Sequence, residues 1–217
     1  MPEEYVWCDS QAPGYQYTAW HFSWFARYAE QGDGAPDGHP YELRKDHNGR
    51  CNLEQRQPHR SKDMNNVEQY NAMVEAFTDI FELVRDALKE YLPDEYDQLS
   101  IYMEHLPLDA SSPCYPLGGF VLNVRVCTWA HQDGGDNLLC FVIPFGNFTG
   151  GGLCHYETGF CFGLKQGDVH AFPSCDITHF NLHFKGLRGG LVLHSDRHGE
   201  SWVRDCNGWS ASVVRYS

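Results

Sequence analysis

The chain has 217 residues, 42% hydrophobic and 14% aromatic, with 29 acidic against 16 basic side chains and a formal charge of −13. This composition supports one sizeable core and excludes a disordered chain, and no apolar run is long enough to span a bilayer. Met1-Pro2-Glu3-Glu4 has neither the basic nor the apolar character of a secretory signal, so none is expected, and the nine cysteines are scattered without a C-x-x-C pair, so a disulfide framework or structural zinc site is not expected either. The expectation is an intracellular protein, cytoplasmic or nuclear, with no membrane partner.

Residues 1–30 are rich in aromatics, among them Trp7, Trp20, Phe22, Trp24 and Phe25, and are expected to pack. Residues 31–62 are polar, with Gly, Pro and His throughout and a basic second half (Arg44, Lys45, Arg50, Arg56, Arg60, Lys62). A loop this long is expected to be a lid, a binding loop or disordered, and 44–62 is a candidate substrate lid or else a solvated loop.

The spacing then predicts a helix over about 64–92. Val67, Tyr70, Met73, Val74, Phe77, Ile80, Phe81, Val84, Leu88 and Tyr91 recur at steps of three and four. Asp63, Asn65 or Asn66 is the expected cap and Pro93 the stop. The charge balances of 1–62, 63–119 and 120–217 are −2, −10 and −1. The acidity thus belongs to one stretch, whose run of carboxylates reads as a solvated helix face. The global charge bears on solubility more than on the mouth of a site, although the field of the whole protein would oppose a duplex.

From residue 99 the texture changes to short strands broken by glycine turns. They are expected at 99–104, 119–129, 138–145, 153–157, 160–164, 168–172, 177–184 and 188–194. No helical pattern interrupts them, which predicts an all-β sandwich or barrel with the long helix buttressing one face.

Within this segment lie His131-Gln132-Asp133, then Thr178-His179, then Gly186-Leu187-Arg188. Two imidazoles and one carboxylate arranged facially leave three positions open on Fe(II) for a chelating co-substrate and O₂. A His-x-Asp pair alone is uninformative, since about one is expected by chance in this composition. A second pair, His194-Ser195-Asp196, has only His198 behind it and reads as structural. His131 and Asp133 gain weight from the strand before them, the short strands separating them from His179, and the Arg nine residues after His179. Arg188 is suited to fixing the far carboxylate of a dicarboxylate co-substrate, because a guanidinium binds it bidentately and stays charged when buried.

These residues resemble a known family. The stretch 120–195 is similar to the double-stranded β-helix core of Fe(II)/2-oxoglutarate-dependent dioxygenases, most like the TET/JBP-like group of mushroom-forming fungi. The motifs carrying the likeness are Leu122-Asn123-Val124 before His131-x-Asp133, Pro144-Phe145-Gly146-x-Phe148-x-Gly150-Gly151, Gly167-Asp168-Val169, Phe172-x-Ser174, Thr178-His179-Phe180-Asn181, and Gly186-x-Arg188 before Leu191-Val192-Leu193-His194. The resemblance implies an α+β, mainly β fold with a jelly-roll core, as one dioxygenase domain over 1–217 in which 1–119 is the N-terminal part and 120–217 the catalytic core. It implies iron ligands His131, Asp133 and His179, a 2-oxoglutarate-binding Arg188, and Asn123 as a second co-substrate contact. Where many relatives carry Ser two residues after the Arg, this chain has Gly190.

The implied cofactors are Fe(II) and 2-oxoglutarate, and the implied reaction is hydroxylation of a C–H with release of succinate and CO₂. The TET/JBP likeness points to a methylated nucleobase in nucleic acid, of 5-methylcytosine or thymine type, flipped into the barrel mouth. A small molecule, a nucleoside or a protein side chain would use the same iron site. A catalytically silent barrel used for binding is disfavoured by the intact His131, Asp133, His179 and Arg188. Trp129, Asp136 and Arg197 are candidate substrate contacts, while His155, His170 and His183 are expected to be satisfied barrel histidines and Cys175 a core or loop residue.

Overall fold

The computed structural model describes residues 18–25, 59–106 and 111–204. Most of the aromatic segment 1–30 and nearly all of the basic loop 44–62 lie outside the described residues. The described chain divides into two compact units, one of 18–21 with Phe120–His194, the other of 22–119 with 195–204.

In the helical unit, a 3₁₀ turn at Lys62–Asn65 leads into α1 (Val67–Tyr91). Asn66 caps α1, its side-chain oxygen accepting from the backbone N–H of Gln69 at 3.2 Å. The apolar stripe is narrower in burial than in sequence. Phe81, Val84 and Leu88 are buried, whereas Val67 and Tyr91 at the two ends are exposed. Pro93 ends α1 but does not end helix. It occupies the first turn of α2 (Pro93–Met103), where its fixed φ is already helical and its missing N–H costs nothing. The strand expected at 99–104 is therefore a helix. Its short apolar run is ambiguous by period, and the burial of Leu99, Ser100 and Met103 follows the helical spacing i, i+1, i+4. In the same unit, Trp24 and Phe25 of strand β1 (Thr18–Phe25) pair with Arg60 and His59 of the two-residue strand β2 (His59–Arg60). A third helix, α3 (His198–Arg204), follows the last strand.

The other unit consists mainly of antiparallel strands. Its larger sheet runs in the order β1, β3 (Gly119–Val124), β11 (Gly189–His194), β4 (Cys140–Phe145), β8 (His170–Phe172). The smaller strands are β5 (Phe148–Gly150), β6 (Leu153–His155), β7 (Phe160–Phe162), β9 (His179–Asn181) and β10 (Phe184–Gly186). They form a β7-β6-β9 sheet and a β10-β5 pair. The core is built by Phe120, Phe141, Ile143, Leu153, Phe172, Phe184, Leu191 and Leu193, all buried. In β11, Leu191 and Leu193 are fully buried while Val192 between them is half-buried, as the period of two requires.

Two expected strands are cut by local backbone demands. The run 119–129 stops at Val124 because Arg125 turns into the left-handed region at φ 59°, its N–H donating to the Arg188 carbonyl at 2.9 Å. The run 177–184 splits in two because the chain changes partner. β9 pairs with β6, whereas β10 pairs with β5.

Candidate metal centre

The strand ends of the β unit bring His131, Asp133 and His179 together. One ligand atom from each lies within 4.8 Å of the others. His131 is fixed by a two-way antiparallel bridge with His179, each backbone N–H donating to the other's carbonyl, at 3.1 and 2.9 Å. Asp133 is held by its own N–H, which donates to the Ser174 carbonyl at 3.0 Å, and by its carbonyl, which accepts from the Asp136 N–H at 2.8 Å.

Each imidazole Nδ1 donates to the carbonyl two residues before it, His131 to Trp129 at 2.6 Å and His179 to Ile177 at 2.9 Å. A carbonyl can only accept, so both rings carry a proton on Nδ1 and turn Nε2 toward Asp133. Those Nε2 atoms lie 3.8 Å (His131) and 3.5 Å (His179) from the two oxygens of Asp133. Burial alone would raise the Asp133 carboxyl, but the hydrogen bond with His179 and the neighbouring imidazoles hold it below the usual carboxylate value. Two imidazole Nε2 atoms and one carboxylate, converging on one another, are a donor set that fits a divalent iron with positions left open.

Arg188, immediately before β11, is 6% exposed. Its guanidinium sits 5.4 Å from the Phe148 ring centre and 5.7 Å from that of Phe184. Burial pulls its pKa down, no described carboxylate pairs with it, and its Nε has no hydrogen-bond partner. A small cavity of about 40 Å³ lies beside it, lined by Arg188, Asn123, Thr128, Asn181 and Gly190. That is room for roughly two or three waters, or one carboxylate group. The stem of Arg188 depends on Gly151, where an added Cβ would meet Arg188 Nε at 3.0 Å and Cδ at 3.1 Å. A buried cation without an anion, facing a polar pocket of this size, fits one end of a dicarboxylate.

The sequence-predicted residues Asn123 and Arg188 thus line one cavity, and His131, Asp133 and His179 form one cluster. Sequence reasoning missed Asn181. Its Oδ1 accepts from the Thr128 hydroxyl at 3.3 Å, while its buried Nδ2 has no partner. The signal was available in Thr178-His179-Phe180-Asn181, since Asn181 falls two residues after a ligand and so on the same face of β9.

Two expectations, for His155 and His170, are corrected, and the surroundings of Asp136 are defined. Asp136 is buried, and its carboxylate is engaged by Ser174, which donates to it at 2.8 Å, and by His194 at 3.1 Å. His155 and His170 are not satisfied, because the Nε2 of each is buried without a partner. Burial holds both imidazoles below their ordinary pKa, so they are neutral. His155 is directly opposite His179 in the β6–β9 register, which puts the two rings on one face. The pair His194 and Asp196 behaves as read, His194 bonding Asp136 and Asp196 accepting from the N–H of His198. Trp129 is 60% exposed beside the cluster, whereas Arg197 belongs to the helical unit.

No family model and no curated protein matches the sequence. Among solved structures, NgTET1 in complex with 5mC DNA is similar over 67% of this chain and 58% of that chain, at 19% identity and TM-score 0.52. A 2OG-Fe(II) oxygenase family protein from Burkholderia pseudomallei matches over 38% of this chain and 45% of that one, at 23% identity and TM-score 0.34. The chain thus spans about half the length of these neighbours. The first likeness shows a shared fold, the jelly roll. No helix among the described residues is long and apolar enough to cross a membrane.

Proposed function

We propose that the chain is an Fe(II)- and 2-oxoglutarate-dependent dioxygenase. The observation that carries this reading is the pairing, in one β unit, of a His-Asp-His cluster with a buried, anion-less Arg188. A metal cluster alone would fit many chemistries, and a buried arginine alone would be a structural oddity. Together they fit the two ends of one chelating dicarboxylate.

In this reading His131, Asp133 and His179 hold iron, and Arg188 takes the distal carboxylate of 2-oxoglutarate, with Asn123 and Asn181 bordering it. Iron and 2-oxoglutarate, when bound, supply the activation of O₂ that hydroxylates a substrate C–H while the co-substrate leaves as succinate and CO₂. The protein's part is orientation. The Trp129 and Ile177 carbonyls fix the tautomers of the two histidines, Ser174 fixes the Asp133 turn, and the Phe148 and Phe184 rings hold the guanidinium.

For the substrate we propose a planar, methylated nucleobase. Exposed aromatic side chains stand on the segments adjoining the cluster, Trp129 two residues before His131 and Tyr156 immediately after His155. Such rings stack on any base. The described unit supplies no basic run for a phosphate backbone, so a duplex would need contacts from elsewhere in the chain.

Anaerobic Fe(II) plus 2-oxoglutarate should give a visible charge-transfer band that disappears in His179→Ala. A folded protein without the band would overturn the dioxygenase reading. Succinate release across methylated DNA, RNA and nucleosides, compared with amino acids and other small molecules, then tests the substrate. Turnover confined to non-aromatic substrates would overturn the nucleobase reading.

A further inference from the structure

Two thiols meet across the hairpin formed by β6 and β7. The antiparallel register places Leu153 opposite Phe162, Cys154 opposite Cys161 and His155 opposite Phe160. Opposed residues project from the same face of a sheet, so the two sulfurs share a side. Their Sγ atoms are 2.8 Å apart. Opposed Cα atoms of an antiparallel pair lie roughly 4.5–5.5 Å apart, inside the window of about 4.4–6.8 Å that a disulfide spans. Closing the sulfurs to a bond of about 2.05 Å therefore asks for side-chain rotation rather than strand movement.

The two thiols differ in access. Cys154 is buried and Cys161 exposed, the latter on an open groove of about 600 Å³ that Asn147, Thr149, Lys165 and Gln166 also line. Gly152 leaves Cys161 its position, since an added Cβ there would come within 2.8 Å of the sulfur. Neither thiol faces the proposed iron. His155 follows Cys154 directly and is the residue opposed to His179, so the sulfurs sit on the other face of the same strands.

We propose that Cys154 and Cys161 form a reversible dithiol–disulfide couple, a site where hydrogen peroxide modifies this protein without touching the iron ligands. The exposed Cys161, as thiolate, attacks one peroxide oxygen. The O–O bond breaks, hydroxide leaves and takes up a proton, and Cys161 becomes a sulfenic acid. Cys154 then attacks that sulfur, the S–O bond breaks, and water departs with the Cys154 proton. In sum, two thiols and one peroxide give one disulfide and two waters. The order follows access, and burial pushing the Cys154 thiol up to about 11 agrees with its acting second. The loop closed is short, so the bond adds little by restricting the unfolded chain. Its consequence is chemical, because it ends the oxidation of Cys161 at a reducible stage.

The test uses the full chain, reduced, treated with a small excess of hydrogen peroxide, alkylated, and cleaved after glutamate. Glu157 lies between the two cysteines, so cleavage there leaves them on separate peptides joined only by the new bond. The expected result is a joined peptide pair lighter by two hydrogens, released by dithiothreitol, with 2-oxoglutarate binding unchanged. Cys154→Ser should drive Cys161 to sulfinic and sulfonic acids, and Cys161→Ser should leave Cys154 unmodified. Over-oxidation of Cys161 in the unsubstituted chain, or its pairing with any other cysteine, overturns the proposal.

Discussion

Replacing Arg188 by Met separates what the guanidinium costs from what it does. The side chain is 6% exposed, pairs with no described carboxylate and is stabilised by two aromatic rings. Each cation–π contact contributes about 0.5–2 kcal/mol, while the effective penalty for an ion taken out of water is several kcal/mol. A thioether recovers about 0.3–1.5 kcal/mol against each ring and carries no desolvation penalty. Arg188→Met should therefore leave the co-substrate-free protein as stable or more stable, by about 1–2 kcal/mol, which for a chain of this size raises Tm by roughly 2–8 °C. Loss of one partner of a buried carboxylate–guanidinium pair should cost binding about 2–5 kcal/mol, roughly 30-fold to several thousand-fold in Kd for 2-oxoglutarate. Scanning calorimetry in anaerobic Fe(II), with and without 2-oxoglutarate, reads both effects, because a ligand that binds only the folded state raises Tm. The wild-type protein should gain on adding 2-oxoglutarate and the variant should not. A variant that melts well below the wild type, or one that keeps the full 2-oxoglutarate shift, would refute the reasoning.

The cavity beside Arg188 can be narrowed or furnished one glycine away on either side. Gly151→Ala pushes a methyl against Arg188 at a backbone φ of +72°, and should weaken 2-oxoglutarate binding by tenfold or more while iron affinity, read by anaerobic titration, holds. Gly190 lines the same cavity and an added Cβ meets nothing within 4 Å. Gly190→Ser should supply a new hydrogen bond worth about 0.5–1.5 kcal/mol, tightening 2-oxoglutarate roughly 2- to 12-fold by calorimetry. Asp136→Ala strips the fully buried Ser174 hydroxyl of its acceptor and His194 of its carboxylate. Chemical denaturation should show a loss of about 3 kcal/mol, with weaker iron binding through the freed Asp133 turn. Glu157 accepts both the N–H and the hydroxyl of Thr178, and the hydroxyl bond holds its carboxyl below the usual carboxylate value. Its folded pKa is the lower one, so its contribution is present above the unfolded value and lost as pH falls through the folded value. Glu157→Gln should flatten the acid limb of stability as pH falls through and below the ordinary carboxylate range, and an unchanged limb would show the carboxylate idle.

What was legible in the sequence was whatever depends on alternation and residue chemistry; what was not depends on partners distant in the chain. Leu191-Val192-Leu193 and Cys140–Phe145 read as strands because their burial alternates or saturates locally. His131, Asp133 and His179 read as a cluster because of the strand before them, the short strands between, the Arg nine residues after His179 and the family resemblance, although nothing local said that a two-way backbone bridge joins His131 to His179. The helix α2 was misread because Leu99 to Met103 is too short for its period to decide, and Pro93 signals a stop and a start equally well. The orphaned atoms were invisible for a different reason. Whether a buried Asn, His or Arg finds a hydrogen-bond partner depends on side chains from several strands, so no window of sequence contains the answer. Asn181 shows the point. One end of its amide is bonded to Thr128, 53 residues earlier, and the other end is left bare beside Arg188. A buried donor left bare in a polar cavity is costly unless something fills it. Among the described residues of the β unit, Asn137, His155, His170, Asn181 and Arg188 each keep such an unfinished bond, and two of them, Asn181 and Arg188, line one cavity, which is where the proposed co-substrate would supply the missing partners.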